Sequence, residues 1–379
     1  MANVPAGSTL GVFGGGQLGR MFCQAAQALG FKTRVFAPES DCPASQVADA
    51  HTAADYHDFA LVEEFAKGVG AATLEFENVP VAALEAAGRH TLVRPGSEAL
   101  FTVQDRAREK RFLAAAGVPV APFAVVRDAQ ELAEASAAIG APAVLKTSKF
   151  GYDGKGQTVI RQAAGAADAW AYLGRTKCVM EGFVEFRREV SVIVARGPGG
   201  ETAVCGPVEN DHANHILDVS VLPAACDDAV ASEARRIATH VAKELEVVGV
   251  VCVEFFETAG GDLMVNEIAP RPHNSGHLTI EACRASQFEQ QARAVAGLPL
   301  GSFEYTRPAA MANLMGELWS AGEPEWDRVG GFAGVQLHLY GKRSARPGRK
   351  MGHLTAVADT PAAAREAVLA SRAALSPRG

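Results

Sequence analysis

Residues 254–277 of the chain read EFFETAGGDLMVNEIAPRPHNSGH. Apolar, strand-forming residues on both sides of Gly260 and Gly261 predict a β-hairpin in which these glycines form a two-residue turn. Such a turn places Glu254 opposite Glu267, where two carboxylates would repel each other. Enzymes that use ATP usually hold Mg²⁺ with one or two carboxylates, so the pair predicts a metal site.

The two glutamates could instead be solvated surface acids. Apolar side chains occur on both faces of the predicted hairpin, which favours a buried position over a solvated one. The prediction depends on the register of the two strands, because one additional residue in the turn would move one glutamate to the opposite face.

The composition is that of a globular protein. Of the 379 residues 48% are hydrophobic, and the mean hydropathy is +0.04, which excludes a disordered chain. A net charge of -7 argues against a generally basic nucleic-acid surface, and no apolar run is long enough to cross a membrane. The seven cysteines form no C-x-x-C pair and no signal peptide is evident. We therefore expect reduced thiols and a cytoplasmic protein without nucleic-acid or membrane partners.

A glycine-rich motif lies near the N-terminus. Gly14-x-Gly16-x-x-Gly19 stands between a predicted strand and a predicted helix, as in the dinucleotide fingerprint, and Glu39 occurs near the place of its ribose-binding acid. The same glycines also suit a tight turn or a site for part of a phosphorylated substrate. We favour the phosphorylated substrate over a dinucleotide.

A second glycine-rich segment differs because it joins two predicted strands. Its glycines would let backbone N–H groups approach phosphate oxygens, and Lys155 adds a positive charge. Lys146 stands at the end of the preceding apolar strand, where a lysine is unexpected unless it meets an anion. The alternative is a flexible hairpin with solvated lysines. The segment consists of Gly151, Tyr152, Asp153, Gly154, Lys155, Gly156 and Gln157.

Alternating predicted strands and helices indicate the α/β class, and the chain as a whole is α+β. The pattern divides the chain into three parts. Residues 1–104 predict a Rossmann-like domain with a parallel sheet. Residues 105–300 predict a central domain. Within it, residues 119–184 form a small α+β unit able to move as a lid, and residues 185–300 form a mixed sheet with a long helix. Residues 301–379, rich in glycine, proline and short strands, predict a small β-rich C-terminal domain that ends in a helix.

Three motifs in this order resemble the ATP-grasp superfamily. They are Lys146 before the 151–157 loop, Glu181–Val184 followed by Glu189, and Glu254 followed by 266–277. Over nearly the whole chain, the sequence also resembles the 5-(carboxyamino)imidazole ribonucleotide synthetases of that superfamily. The segments that carry this closer resemblance are Gly14–Arg20, Glu75–Asn78, Gln104–Arg106 and Arg346–His353. Leu74 and Leu278 depart from the family pattern, but neither carries a reacting group.

The resemblance implies an ATP-grasp fold with a pre-ATP-grasp N-terminal domain. It implies a ligase of de novo purine biosynthesis that carboxylates 5-aminoimidazole ribonucleotide with ATP and bicarbonate through carboxyphosphate, and it implies a homodimer. Glu254 and Glu267 would hold Mg²⁺. The residues implied to contact ATP are Arg106, Lys146, the 151–157 loop, Glu181, Gly182, Phe183, Val184, Glu189, His212, Asn266 and Glu267.

The resemblance also implies the groups for the chemistry and for the second substrate. Arg271, His273 and Asn274 would hold bicarbonate and carboxyphosphate, and Asp153 would take a proton from the amine. The residues implied to contact aminoimidazole ribonucleotide are Gln17, Glu77, Tyr152, Lys342, Arg349 and Lys350.

A basic segment in the C-terminal part suits the phosphate of that ribonucleotide. Five basic residues lie between positions 342 and 350 in a chain of net charge -7, and Pro347 and Gly348 fix a turn among them. Arginine offers a bidentate fork to phosphate and lysine adds a point charge, which predicts a phosphate cradle. The alternative is a solvated basic loop.

Three other functions stay open from the sequence. A different ATP-grasp ligase would share the ATP site but lack the phosphate cradle. An NAD-dependent oxidoreductase built on the Gly14 loop would leave Glu254, Glu267 and the 151–157 loop unexplained. A nucleotide-sensing protein without chemistry would lack part of the acid and lysine set, and every member of the set is present.

Overall fold

A five-stranded parallel sheet forms the N-terminal part of the chain in the computed structural model, which describes residues 3–149 and 155–375. Its elements are β1 (Thr9–Phe13), α1 (Gln17–Ala28), β2 (Lys32–Ala37), β3 (Ala50–Ala53), α2 (Phe59–Lys67), β4 (Ala71–Leu74), α3 (Val81–Gly88), β5 (Leu92–Val93) and α4 (Ser97–Val103). The strand order is β3-β2-β1-β4-β5. Leu10 and Val12 pack on the α1 side and Phe13 on the α2 side, so β1 is buried on both faces. The predicted Rossmann-like alternation is confirmed.

A small antiparallel sheet follows the helix α5 (Arg106–Ala115). Its elements are β6 (Phe123–Val126), α6 (Ala129–Ile139), β7 (Ala143–Thr147), β8 (Gln157–Ile160), α7 (Ala166–Tyr172) and β9 (Cys178–Gly182). The strand order is β6-β9-β7-β8, and Leu145, Trp170 and Met180 belong to a core of its own. We call this unit the lid. Gly151, Tyr152, Asp153 and Gly154 lie outside the described residues.

An eight-stranded sheet forms the rest of the described chain. Its elements are β10 (Phe186–Arg196), β11 (Thr202–Ala213), β12 (Ile216–Leu222), α8 (Asp228–Glu244), β13 (Gly249–Thr258), β14 (Leu263–Ala269), α9 (Thr279–Ala282), α10 (Gln287–Ala296), β15 (Ala309–Met315), β16 (Val335–Leu339), β17 (Lys350–Val357) and α11 (Pro361–Leu375). The strand order is β14-β13-β10-β11-β12-β15-β17-β16.

The prediction of a mixed sheet is wrong, because every neighbouring pair in this sheet is antiparallel. The strands β10, β11 and β12 follow one another through short connections, which allow only antiparallel pairing. Helix α8 then returns the chain to the other side of β10, where β13 pairs with it. The sheet also continues past residue 300, since β12 pairs with β15.

The hairpin of β13 and β14 brings Glu254 opposite Glu267, as predicted, but through a different turn. The Thr258 N–H donates to the Asp262 carbonyl at 2.9 Å, so three residues connect the strands, and Gly261 has the left-handed φ of 86° that such a loop needs. Further along, Phe255 pairs with Val265, which leaves Asn266 as the extra residue of a β-bulge. The extra residue in the turn and the extra residue in the bulge offset each other in the strand register, so Glu254 and Glu267 remain opposite each other.

No helix in the described ranges is both long and apolar enough to cross a membrane. All seven cysteines are free thiols.

Candidate active site

A cleft of about 680 Å³ lies where the N-terminal loops, the lid and the eight-stranded sheet meet. It collects residues that are far apart in the sequence. The predicted site residues that line it are Gln17, Glu77, Arg106, Lys146, Lys155, Gly156, Gln157, Glu181, Gly182, Phe183, Val184, Glu189, His212, Glu254, Asn266, Glu267, Arg271, His273, Asn274 and Lys350. Lys342 and Arg349 are not among its lining residues.

At the lid end of the cleft, a buried carboxylate is surrounded by cations. Glu181 forms an ion pair with Arg106, and its carboxylate lies 3.4 Å from the Nζ atoms of both Lys146 and Lys110. Burial alone would raise the pKa of Glu181, but these three cations hold it well below its ordinary value. Burial and Arg106 lower the pKa of Lys146 to about 8.

Helix α5 contributes two site residues that the sequence analysis did not identify. Lys110 is buried and donates to the carbonyls of Val265 at 3.2 Å and Asn266 at 2.9 Å. Glu109, also buried, accepts from the Ile268 N–H at 2.6 Å. The two side chains therefore hold the bulge that orients Glu267. A helix places residues three and four apart on one face, and this spacing from Arg106 was the available signal.

At the hairpin end, Arg106 Nη1 lies 3.5 Å from Glu267 Oε2, while Glu254 lies opposite this second acid. Burial, Glu267 and Glu189 together raise the pKa of Glu254 well above its ordinary value, and burial and Glu267 raise the pKa of Glu189 to about 7. A divalent cation between Glu254 and Glu267 would remove this repulsion, and carboxylate oxygens are the ligands that Mg²⁺ prefers. The donor set therefore fits the ion. His212 Nδ1 lies 3.3 Å from the Glu189 carboxylate.

The three predicted anion-binding residues each have a protein partner. Arg271 Nη2 lies 2.7 Å from Glu77 Oε1, and His273 Nε2 lies 3.1 Å from Glu254 Oε1. Asn274 exchanges two side-chain hydrogen bonds with Asn313, at 3.2 and 2.7 Å. Burial and neighbouring Arg271 and Lys350 lower the pKa of His273 well below its ordinary value. These contacts fix the orientation of all three side chains along one wall of the cleft.

The Gly14 loop binds a carboxylate of the protein itself. Gly16 N–H and Gly19 N–H both donate to Glu75, the second at 2.8 Å. A side chain at Gly14 would lie 2.2 Å from Glu75 Cγ, which explains the glycine. Glu75 therefore occupies the end of α1 where a dinucleotide pyrophosphate would bind, and Glu39 is exposed. This geometry disfavours the dinucleotide, although Gly16 and Gln17 still line the cleft.

The basic segment contains three residues that were predicted to bind the ribonucleotide phosphate, and one of them lines the cleft. Lys350 lines the cleft. Lys342 Nζ donates to the Lys350 carbonyl at 2.6 Å, while Arg349 donates to the carbonyl and hydroxyl of Ser344 at 2.7 and 3.0 Å. These bonds fold the segment upon itself, and the phosphate cradle stays a prediction.

Three family models match consecutive parts of the chain. They describe a ribonucleotide synthetase preATP-grasp domain at residues 8–104, an ATP-grasp domain at 111–288 and a phosphoribosylaminoimidazole carboxylase C-terminal domain at 309–367.

Curated relatives and solved structures agree with these matches. The N5-carboxyaminoimidazole ribonucleotide synthase of Bacillus subtilis is 42% identical over 92% of this chain and 91% of its own, and that of Brucella melitensis is 43% identical over 93% and 96%. An N5-carboxyaminoimidazole ribonucleotide synthetase in complex with ADP superimposes with a TM-score of 0.93 at 40% identity, over 98% of both chains. The synthase of Aspergillus clavatus with ADP and 5-aminoimidazole ribonucleotide gives 0.89 at 30% identity, over 97% of this chain and 98% of its own.

Proposed function

The chain belongs to the family of N5-carboxyaminoimidazole ribonucleotide synthases within the ATP-grasp superfamily, and from this premise we propose how its cleft works. The enzyme is a ligase of purine biosynthesis that uses ATP to carboxylate 5-aminoimidazole ribonucleotide. We infer that bicarbonate is the carbon source, that Mg²⁺ is required, and that the protein acts as a cytoplasmic homodimer. The observation that carries the proposal is the facing pair of Glu254 and Glu267 in the same cleft as Lys146 and His273.

We propose that ATP binds between the lid and the eight-stranded sheet. The backbone of residues 181–184 would contact the edge of the adenine. The N–H groups of Gly182 and Phe183 already donate to the carbonyls of Pro122 and Pro142, so any contact of Gly182 or Phe183 with the adenine would use their carbonyl oxygens. Glu189 would accept hydrogen bonds from the ribose hydroxyls. Lys146, with Lys155, Gly156 and Gln157, would bind the phosphates, and Arg106 keeps Glu181 and Asn266 in place through its hydrogen bonds.

The first step would transfer the γ-phosphoryl group to bicarbonate. An oxygen of bicarbonate forms a bond to phosphorus as the bond to ADP breaks, which gives carboxyphosphate. Glu254 and Glu267 would hold Mg²⁺, which when bound neutralises phosphate oxygens and stabilises the charge of the transferring group. Arg271 and Asn274 would bind the anionic oxygens, and their contacts with Glu77 and Asn313 fix them for this task.

The second step would transfer the carboxyl group to the amine of aminoimidazole ribonucleotide. The nitrogen forms a bond to the carboxyl carbon, phosphate leaves, and the amine loses a proton, which we assign to Asp153. Gln17, Glu77 and Tyr152 would contact this substrate, and Lys342, Arg349 and Lys350 would bind its phosphate. Closure of the lid would exclude water from carboxyphosphate. Hydrogen exchange over 148–157 should then slow when Mg-ATP is added, and equal exchange would count against closure.

One experiment tests the reaction. ADP release is measured with ATP, Mg²⁺ and bicarbonate, with and without 5-aminoimidazole ribonucleotide, and the carboxylated product is assayed with ¹³C-bicarbonate. We expect ADP release that depends on the ribonucleotide and transfers the label to it. Label transfer to a different amine, with none to aminoimidazole ribonucleotide, would instead identify another ATP-grasp ligase.

A further inference from the structure

His273 is held from behind by residues that do not line the cleft. Its ring nitrogen Nδ1 lies 2.9 Å from the Ser275 hydroxyl and accepts from the Ser275 backbone N–H at 3.3 Å. A backbone N–H can only donate, so Nδ1 is the acceptor and carries no proton, which places the ring proton on Nε2. That nitrogen lies 3.1 Å from Glu254 Oε1, so His273 donates to Glu254.

A series of buried hydrogen bonds extends from Ser275 into the eight-stranded sheet. The Ser220 hydroxyl donates to Asn210 Oδ1 at 2.8 Å, and Asn210 Nδ2 donates to the Ser191 hydroxyl at 3.0 Å. Ser191 Oγ lies 2.8 Å from Ser275 Oγ. Because Nδ1 carries no proton, the Ser275 hydroxyl donates to His273; Ser275 then accepts from the Ser191 hydroxyl, which itself accepts from Asn210. The three serines are fully buried and the series spans β10, β11 and β12.

The main chain of His273 is fixed by a glutamine from α10. Gln287 Oε1 accepts from the His273 N–H at 2.8 Å, and Gln287 Nε2 donates to the His273 carbonyl at 2.7 Å. This side chain is fully buried. A side-chain amide that pairs with both backbone groups of one residue fixes its position and orientation, much as a neighbouring strand would.

We propose that Gln287 and Ser275 are positioning residues that hold the His273 ring with its Nε2–H directed at Glu254, so that His273 acts as a fixed hydrogen-bond donor to this carboxylate. Groups that orient a metal-binding carboxylate from behind affect activity although they touch no substrate. The inference rests on the proposed function, because Glu254 is assigned there to Mg²⁺.

The same helix supplies a matched control. Gln290 is also fully buried, and its amide likewise pairs with both backbone groups of one residue, donating to the Gly301 carbonyl at 2.6 Å and accepting from the Gly301 N–H at 3.0 Å. Gly301 does not line the cleft. Gln287→Met and Gln290→Met therefore each remove a pair of bonds to one residue's backbone, that of His273 or that of Gly301. Gln287→Met also removes a contact of 3.3 Å with His277 Nδ1.

The kinetic test compares these two variants with the wild-type enzyme. We expect Gln287→Met to lower kcat for carboxylation about tenfold or more, with KM for ATP changed less than about twofold, while Gln290→Met keeps kcat within about twofold. Both should lose a similar amount of thermal stability. Equal losses of kcat in the two variants would mean that Gln287 serves only the fold. If Gln287→Met does not fold, Ser275→Ala is compared with Ser220→Ala, which removes the serine at the opposite end of the hydrogen-bond series.

A spectroscopic test is independent of activity. The imidazole ¹⁵N shifts of His273 are recorded in the protein without nucleotide or metal, and the resonance is assigned with His273→Gln. We expect a protonated Nε2 and an unprotonated Nδ1, and a proton on Nδ1 would overturn the inference. If the wild-type protein shows no ribonucleotide-dependent ADP release, the proposed function fails, whereas the ¹⁵N shifts still decide the orientation of the ring.

Discussion

The two ends of the cleft carry opposite balances of charge. At the lid end, Glu181 is surrounded by Arg106, Lys110 and Lys146. At the hairpin end, Glu254 and Glu267 face each other, and the pKa of Glu254 is raised by burial and by its neighbour. At the lid end, cations of the protein thus balance the buried carboxylate of Glu181. At the hairpin end, a bound cation would relieve the repulsion between the two carboxylates. Removing a charge should therefore have opposite effects on stability at the two ends.

The largest effect is expected at the hairpin end. Glu254→Gln and Glu267→Gln should each lower kcat about a thousandfold or more, because each removes a charge that we propose holds Mg²⁺ at the transferring group. Without Mg-ATP the melting temperature should stay the same or rise, since the repulsion is relieved. Turnover and thermal denaturation are measured on the same preparations. Full activity in either variant would exclude the metal site.

The lid end should respond in the opposite direction. Lys110→Met removes the buried donor to the carbonyls of Val265 and Asn266, so we expect a lower melting temperature. The bulge that orients Glu267 should loosen, which lowers kcat about tenfold to a hundredfold. The control is Lys67→Met, at an exposed position of α2. A melting temperature that rises in Lys110→Met would contradict the comparison.

A smaller effect is expected for the predicted phosphate cradle, which lies outside both ends. Arg349→Ala should raise KM for aminoimidazole ribonucleotide about tenfold, equivalent to about 1.4 kcal/mol, and leave KM for ATP nearly unchanged. Initial rates with each substrate varied in turn give both constants. If KM for ATP rises while that for the ribonucleotide stays constant, the basic segment serves the nucleotide instead.

The smallest effect is a pH dependence of stability at the hairpin end. The pKa of Glu189 in the folded protein is raised to about 7, above its value in the unfolded chain, by burial and by Glu267. Its contribution to stability is therefore present at low pH and is lost as the pH rises through about 7. The stabilising contribution of Glu189 in the metal-free protein should therefore be larger at about pH 5 than at about pH 8, by a few degrees in the melting-temperature difference between the wild type and Glu189→Gln. The corresponding difference for the exposed Glu98→Gln should stay unchanged.

The sequence predicts the local elements well because their signals are local. Helix α2 (Phe59–Lys67) has both end signals in its sequence, since Asp58 caps its first turn and Gly68 follows its last residue. The pairing of Glu254 with Glu267 was also predicted, but from a turn one residue too short. The bulge at Asn266 restores the register, and the hairpin sequence itself does not predict this bulge.

What the sequence could not give are contacts between distant segments. Glu75 binds the Gly14 loop from 59 positions away, and Glu109 meets the Ile268 N–H across 159 positions. In both contacts the partner of the carboxylate is a backbone N–H group, which has no signature in the sequence. The resemblance to a family identified most of the candidate site residues, whereas the contacts that support these residues are visible only in the three-dimensional structure.

The pairing of β12 with β15 limits how the chain can be divided. The family models leave residues 289–308 between two matches, which invites a cut near residue 300. A fragment that ends there would keep β12 with its outer edge unpaired, and such an edge recruits strands from other molecules. We therefore expect the shortened protein to aggregate, so recombination between relatives should exchange both segments together and keep the sheet intact.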